Sequence, residues 1–139
     1  MSLRRSFFAA AAVAGLLSTA VAVAVTPSPA QAADNCTTSG AHTIATVFTR
    51  SRGIELRANT VSNRNLQCAW GRIVNGSPGD RVWVDRSWDG GNTWEQLSIK
   101  TIQTGGSIPT EPYNDAYKRM RACGHAAGYP SDVVCTIWW

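Results

Sequence analysis

The sequence predicts an all-β fold, a small disulfide-stapled antiparallel β-sandwich. Three observations carry that expectation. Seven or eight short runs rich in β-branched and aromatic residues follow one another with turn residues between them. No stretch of the same region shows the 3.6-residue apolar period of a long helix. Four cysteines accompany a chain start that has the form of an export signal, and exported domains of this size rely on disulfides.

Arg4 and Arg5 precede an apolar stretch over residues 7–25, and Ala30-Gln31-Ala32 supplies an A-x-A cleavage pattern. Residues 1–32 are therefore read as a secretory signal peptide. The order Leu3-Arg4-Arg5-Ser6-Phe7-Phe8 resembles a twin-arginine signal, and a general-secretory signal is the alternative; both routes end outside the cytoplasm. Residues 33–42 are a lead-in, and residues 43–139 one sandwich domain. Removal of the signal takes two of the thirteen basic residues and no acid, so the net charge falls from +4 to +2. That weakens the case for a nucleic-acid partner. No second apolar stretch is long enough to cross a bilayer. The expected product is a secreted, extracellular monomer with no membrane span, no nucleic-acid partner and no cofactor.

Taken in order, residues 43–49 (Thr-Ile-Ala-Thr-Val-Phe-Thr) read as a strand, turned by Arg50-Ser51-Arg52-Gly53 into a second over residues 54–58. Residues 59–65 form a polar loop, and residues 67–74 a third strand closed by the turn cluster Asn75-Gly76-Ser77-Pro78-Gly79. Residues 81–88 give the clearest alternation, with Val82, Val84 and Trp88 on one parity and Trp83, Asp85 and Ser87 on the other. Residues 93–97 return, residues 99–104 follow as a further strand, and residues 105–114, with two glycines and two prolines, read as loop. Residues 118–123 and 133–138 supply the last pair.

Four cysteines allow three connectivities, and without a C-x-x-C pair they do not form a zinc site, so no metal is expected. Cys123 and Cys135 flank a turn-rich segment between two strand-like runs. That favours a bridge across a hairpin and leaves Cys36 for Cys68. Each bridge is expected to contribute about 3 kcal/mol by restricting the unfolded chain.

The sharpest local motif is Ser87-Trp88-Asp89-Gly90-Gly91-Asn92-Thr93-Trp94, which matches the Asp-box pattern S-x-D-x-G-x-T-W. Asp89 is placed to accept backbone N–H groups, Gly90 and Gly91 permit positive φ, and Trp94 is expected to cover the hairpin base. Ser87, Asp89, Gly91, Thr93 and Trp94 thus read as a structural clasp. Asp-boxes are familiar from sialidase propellers, but one box cannot build a propeller.

Residues 80–94, with Asp89-Gly90-Gly91 near their end, precede Arg121-Ala122-Cys123-Gly124 and Cys135-Thr136-Ile137-Trp138. Together they resemble an accessory module at the front of secreted actinobacterial proteins of glycoside hydrolase family 76, the α-1,6-mannanase-like enzymes. The likeness covers residues 43–138 and stops where the catalytic domain would begin. It implies an exported accessory module, and the family's hydrolase activity does not carry over. It adds nothing to the Cys36–Cys68 pairing.

A glycosidase needs two carboxylates across one cleft. Asp85 and Glu95 are the nearest candidates, but Arg81 and Arg86 are close enough to pair with them, so cross-strand ion pairs are expected instead. A small hydrolase or ribonuclease would use His125 or His42 with an acid, and nothing in the spacing demands it. The aromatics point elsewhere. Six tryptophans are present, of which Trp88 and Trp94 are expected in the core. Trp83 is set opposite Val82 and Val84, so it should face out beside Asp85, where a ring and a carboxylate can stack on a sugar and bond its hydroxyls. Trp138 and Trp139 have opposite parities at the chain end, so one should be exposed. Trp83, Asp85, Tyr113, Trp138 and Trp139 are thus the candidate ligand-binding residues, and no catalytic residue is assigned. The leading expectation is a non-catalytic module binding a polysaccharide or cell-wall glycan. The alternative is a secreted protein-binding module or hydrolase inhibitor that presents residues 105–114 or the Cys123–Cys135 loop.

Overall fold

The computed structural model describes residues 36–139, so the signal-peptide reading of residues 1–32 and the start of the lead-in lie outside the described residues. The described chain is all-β, with two antiparallel sheets. In the first sheet β1 (His42–Thr49), β2 (Arg52–Ala58) and β3 (Cys68–Val74) are sequential neighbours. In the second, β4 (Arg81–Ser87) lies between β5 (Glu95–Thr101) and β8 (Arg119–His125), and β9 (Val134–Cys135) pairs with the far side of β8. Two short strands, β6 (Ile108–Pro109) and β7 (Tyr113–Asn114), both pair with β3. Residues 105–114 are therefore sheet edge as well as loop. Thr110 helps to fix them, because its hydroxyl accepts from Gly71 N–H and its N–H donates to the Gly71 carbonyl.

Alternation places the core. Ile54 and Leu56 on β2 and Ala69 and Ile73 on β3 meet Val82, Val84, Leu97, Met120 and Ala122 from the second sheet. All are buried, as a two-sheet packing requires. The β1–β2 turn is tighter than its sequence implies. Arg50 and Ser51 alone form it, both at positive φ (45° and 68°), the twist that suits a two-residue hairpin. Tertiary contacts offset the strain of two non-glycine residues there. The Arg50 guanidinium bonds Asp132 at 2.8 Å and lies over the Tyr129 ring.

The expected strands over residues 93–97 and 99–104 are one strand, β5, kinked by a bulge. Leu97 faces Val84 and Lys100 faces Val82, so β5 carries an extra residue there, and Ser98 takes a positive φ of 49°. The chain end is bulged in the same way. Thr136 N–H donates to the Ala122 carbonyl, while Trp139 and Met120 exchange both backbone bonds. Three steps on one strand thus match two on the other, which returns Trp139 to the core side and leaves Trp138 on the outer side.

Both disulfides have the expected connectivity, Cys36–Cys68 and Cys123–Cys135. Among the described residues no helix is long and apolar enough to cross a membrane. Two disulfides fit an oxidising compartment.

At the start of β4, Asp80 is fully buried, and Arg52, Ser77 N–H and Ala127 N–H all donate to it. Burial works to raise its carboxyl, but these donors hold it below the ordinary carboxylate range.

Candidate functional site

The Asp89 hairpin joins β4 to β5 and organises its surroundings through one carboxylate. Asp89 Oδ1 accepts from the Ser87 hydroxyl and Thr93 N–H, both at 2.8 Å, and Oδ2 accepts from the Thr93 hydroxyl at 2.6 Å. Those bonds depress its pKa to about 2, with the Thr93 hydroxyl contributing most. Gly90 and Gly91 take φ of 76° and 101°. Gly91 is also an approach point, since a Cβ there would lie 2.7 Å from Trp138 Nε1.

The hairpin ends expose the two tryptophans expected in the core. Trp88 is 59% exposed and Trp94 52%. Trp88 has inward parity but lies past the last paired residue of β4, where the opposite sheet no longer covers it. Trp94 packs instead on Trp138, with ring centroids 6.1 Å apart, and Arg121 sits over both rings.

Trp83 faces outward from the second sheet, as its parity predicts, but the acid expected beside it is not free. Asp85 is buried, and Arg121 Nε bonds its Oδ2 at 2.8 Å. Burial raises the Asp85 carboxyl above its usual value, against the opposing pull of Arg121 and the Trp83 N–H. Asp85 is thus already paired and is not a free acceptor beside Trp83, which corrects the expected Trp83–Asp85 pair. The Trp83 ring is partly buried and meets His125 edge-on. Cross-strand pairing is as expected for Arg86 with Glu95, at 2.8 Å, whereas Asp85 takes Arg121 rather than Arg81. Tyr113 is also corrected. It is 3% exposed and packed in the core opposite Ala69, because β7 pairs with β3.

Sequence reasoning missed the cleft on the other side of the hairpin. It has a volume of about 450 Å³, within the range of small-ligand sites. Trp88, Tyr117 and Trp139 supply its aromatic surface, and Arg64, Gln67, Asp115, Lys118 and Arg119 its polar groups. Arg86, held by Glu95, lies 4.7 Å from the Trp88 ring and supports it. Asn63 caps the 3-10 turn Arg64–Leu66, and Asn59 and Asn114 donate to the carbonyls of Leu66 and Asn65. Asp115 N–H donates to the Gln67 carbonyl, tying floor to wall. Tyr117 takes a positive φ of 60°, a strained conformation for a bulky residue of the kind that collects at functional sites.

Asp115 is the unusual member. It is 5% exposed, and among the described residues its buried Oδ1 has no hydrogen-bond partner. Burial drives its pKa up to about 6, against its own backbone N–H and the charges of Arg64 and Lys118. An orphaned buried acceptor in a cleft is what a ligand donor would satisfy.

Among the described residues neither histidine is hydrogen-bonded to a carboxylate. His42 opens β1 and contacts the Gly40 carbonyl and Thr60, while His125 closes β8 and contacts the Ala126 carbonyl. Asp85, Cys123 and Cys135 lie together, but both sulfurs are in the disulfide. No protein family, curated protein or solved structure matches the chain.

Proposed function

We propose that the protein is a secreted, non-catalytic module that binds glycans at a polysaccharide or cell-wall surface. One observation carries the reading: exposed aromatic rings flank a cleft whose buried carboxylate oxygen lacks a donor. Trp88 and Tyr117 offer flat apolar faces to a sugar ring. Asp115 Oδ1 and Gln67 offer acceptors to its hydroxyls. The resemblance to glycoside hydrolase family 76 accessory modules and the export-type chain start support the same reading. Of the five sequence-derived candidates, Trp139 lines this cleft, while Trp83 and Trp138 belong to the opposite face.

The test is retention of the purified protein on a panel of insoluble glycans, with soluble oligosaccharide as competitor and reducing-end release followed in parallel. Competed retention without released ends is expected. Release of reducing ends would make the protein an enzyme, and no retention on any glycan would remove the reading.

A protein partner is favoured by a different observation. The loop closed by Cys123–Cys135 is fixed by Arg50–Asp132 and by Ala127 N–H on Asp80, yet exposes Tyr129 and Val133. A rigid loop with apolar tips loses little freedom on binding. It takes precedence if glycan retention fails.

A further inference from the structure

The distribution of charge around the cleft is uneven. Among the described residues, Arg50, Arg52, Arg57, Arg72, Arg86, Lys100 and Arg121 each pair with a carboxylate. Four basic side chains have no such partner, and three of them, Arg64, Lys118 and Arg119, line the same cleft. The acid that faces them, Asp115, is sunk beneath the surface. A second cleft, of about 380 Å³, adjoins the first and shares Arg64 and Gln67 with it. It continues past Val61 and Ser62 to Thr60 and His42 and, among the described residues, carries no acid.

We propose that the two clefts act as one groove for a linear anionic glycan, whose chain crosses the turn at Arg64 and Gln67 and whose acidic groups meet Arg64, Lys118 and Arg119. The inference rests on the glycan-binding reading and adds charge and chain length to it. A single sugar would occupy one cleft and leave the other empty, whereas a chain spans both. Cations already spent in ion pairs contribute little to a new anion, so free ones gathered at one site set the preference. Trp88 and Tyr117 then hold the sugar faces, and Asp115 Oδ1 takes a hydroxyl. A single-stranded nucleic acid is also linear and anionic. It is disfavoured because, apart from Arg81, the remaining described arginines and lysines are neutralised in pairs and offer no basic track beyond the groove.

Calorimetric titration of the whole protein tests this. The ligands are galacturonate monomer, dimer, tetramer and hexamer, the carboxyl-reduced neutral hexamer, a wall teichoic acid and poly-uridylate. The carboxylate and phosphodiester arms separate the two sources of negative charge. Affinity is expected to rise at least about tenfold from monomer to the longer oligomers of the preferred acid, and the neutral hexamer should bind about tenfold more weakly. Arg64→Gln, on an exposed turn, should lower affinity for the acidic chain and flatten its salt dependence. Equal binding of acidic and neutral hexamers overturns the charge preference but leaves the glycan reading standing. Equal binding of monomer and hexamer overturns the continuous groove. Poly-uridylate binding as tightly as the glycan overturns the ligand class, and silence toward every glycan removes both proposals.

Discussion

Arg121 Nε donates to Asp85 Oδ2 at 2.8 Å on the outer face of the second sheet. The pair is nearly sealed, with Arg121 roofed by Trp94 and Trp138. Removing the cation strands a buried carboxylate, which is far costlier than losing a surface pair. Arg121→Ala should therefore lose about 3 kcal/mol at pH 7. Burial already raises the Asp85 carboxyl, and without Arg121 it rises further, so the variant should regain stability as pH falls and the acid protonates. Denaturant unfolding at neutral and acidic pH reads both effects. A variant as stable as wild type at neutral pH would mean that the pair does not hold the face together.

Asp89→Ala should lower Tm by several degrees, because the acceptors of Thr93 N–H and of the Thr93 and Ser87 hydroxyls disappear together. Its folded pKa, about 2, lies below the unfolded value, so its contribution is complete above about pH 4 and is lost as pH falls through about 2. The gap between variant and wild-type melts should thus close in strong acid. An unchanged Tm at neutral pH would contradict the clasp.

Asp115 behaves with the opposite sign. Its folded pKa is raised to about 6, so what it contributes is present below the unfolded value and is lost as pH rises through about 6. Asp115→Asn should stabilise the protein by roughly 1–3 kcal/mol at pH 8 and have little effect at pH 4. Anionic glycan should also bind wild type more tightly below pH 6, as Asp115, the one acid among the described residues that line the cleft with Arg64, Lys118 and Arg119, loses its charge. Melts and titrations across that range check both; a destabilising substitution at pH 8 would mean that Oδ1 has a partner.

Reduction of both bridges should remove several kcal/mol and threaten folding at 37 °C, because the closed loops span 32 and 12 residues. Circular dichroism with and without reductant checks it. Native melting of fully reduced protein would show that the sheets suffice alone.

The strands were legible in the sequence wherever alternation was local. Val82 and Val84 against Trp83 fixed the facing of β4, and the turn-rich segment between Cys123 and Cys135 implied a bridged hairpin. What sequence reading missed depends on partners far along the chain. Tyr113 reads as a loop aromatic until β7 pairs with β3 and draws it inward. Asp85 reads as a partner of Arg81 or Arg86, or as an acid beside Trp83, because the cation it takes lies thirty-six residues away. Trp88 keeps core parity but passes the end of the sheet, and period alone does not show where the opposite layer stops covering it. Asp115, within Asn114-Asp115-Ala116-Tyr117, carries no local sign of burial, so the cleft had no signature in the sequence. The bulges at Ser98 and before Trp139 add a residue each and shift later parities, which no count along the chain reveals.

In the proposed function the glycan lies in the cleft beside the hairpin and not on the outer face of the second sheet. Trp88→Ala and Trp83→Ala, compared by thermal melt and glycan retention, test it most directly. Trp88 is exposed, so its loss opens no cavity and should change stability by less than about 1 kcal/mol, while retention drops sharply. Trp83 is partly buried against His125, so its loss should cost roughly 1–3 kcal/mol and leave retention intact. Retention kept in Trp88→Ala and lost in a folded Trp83→Ala would contradict the account.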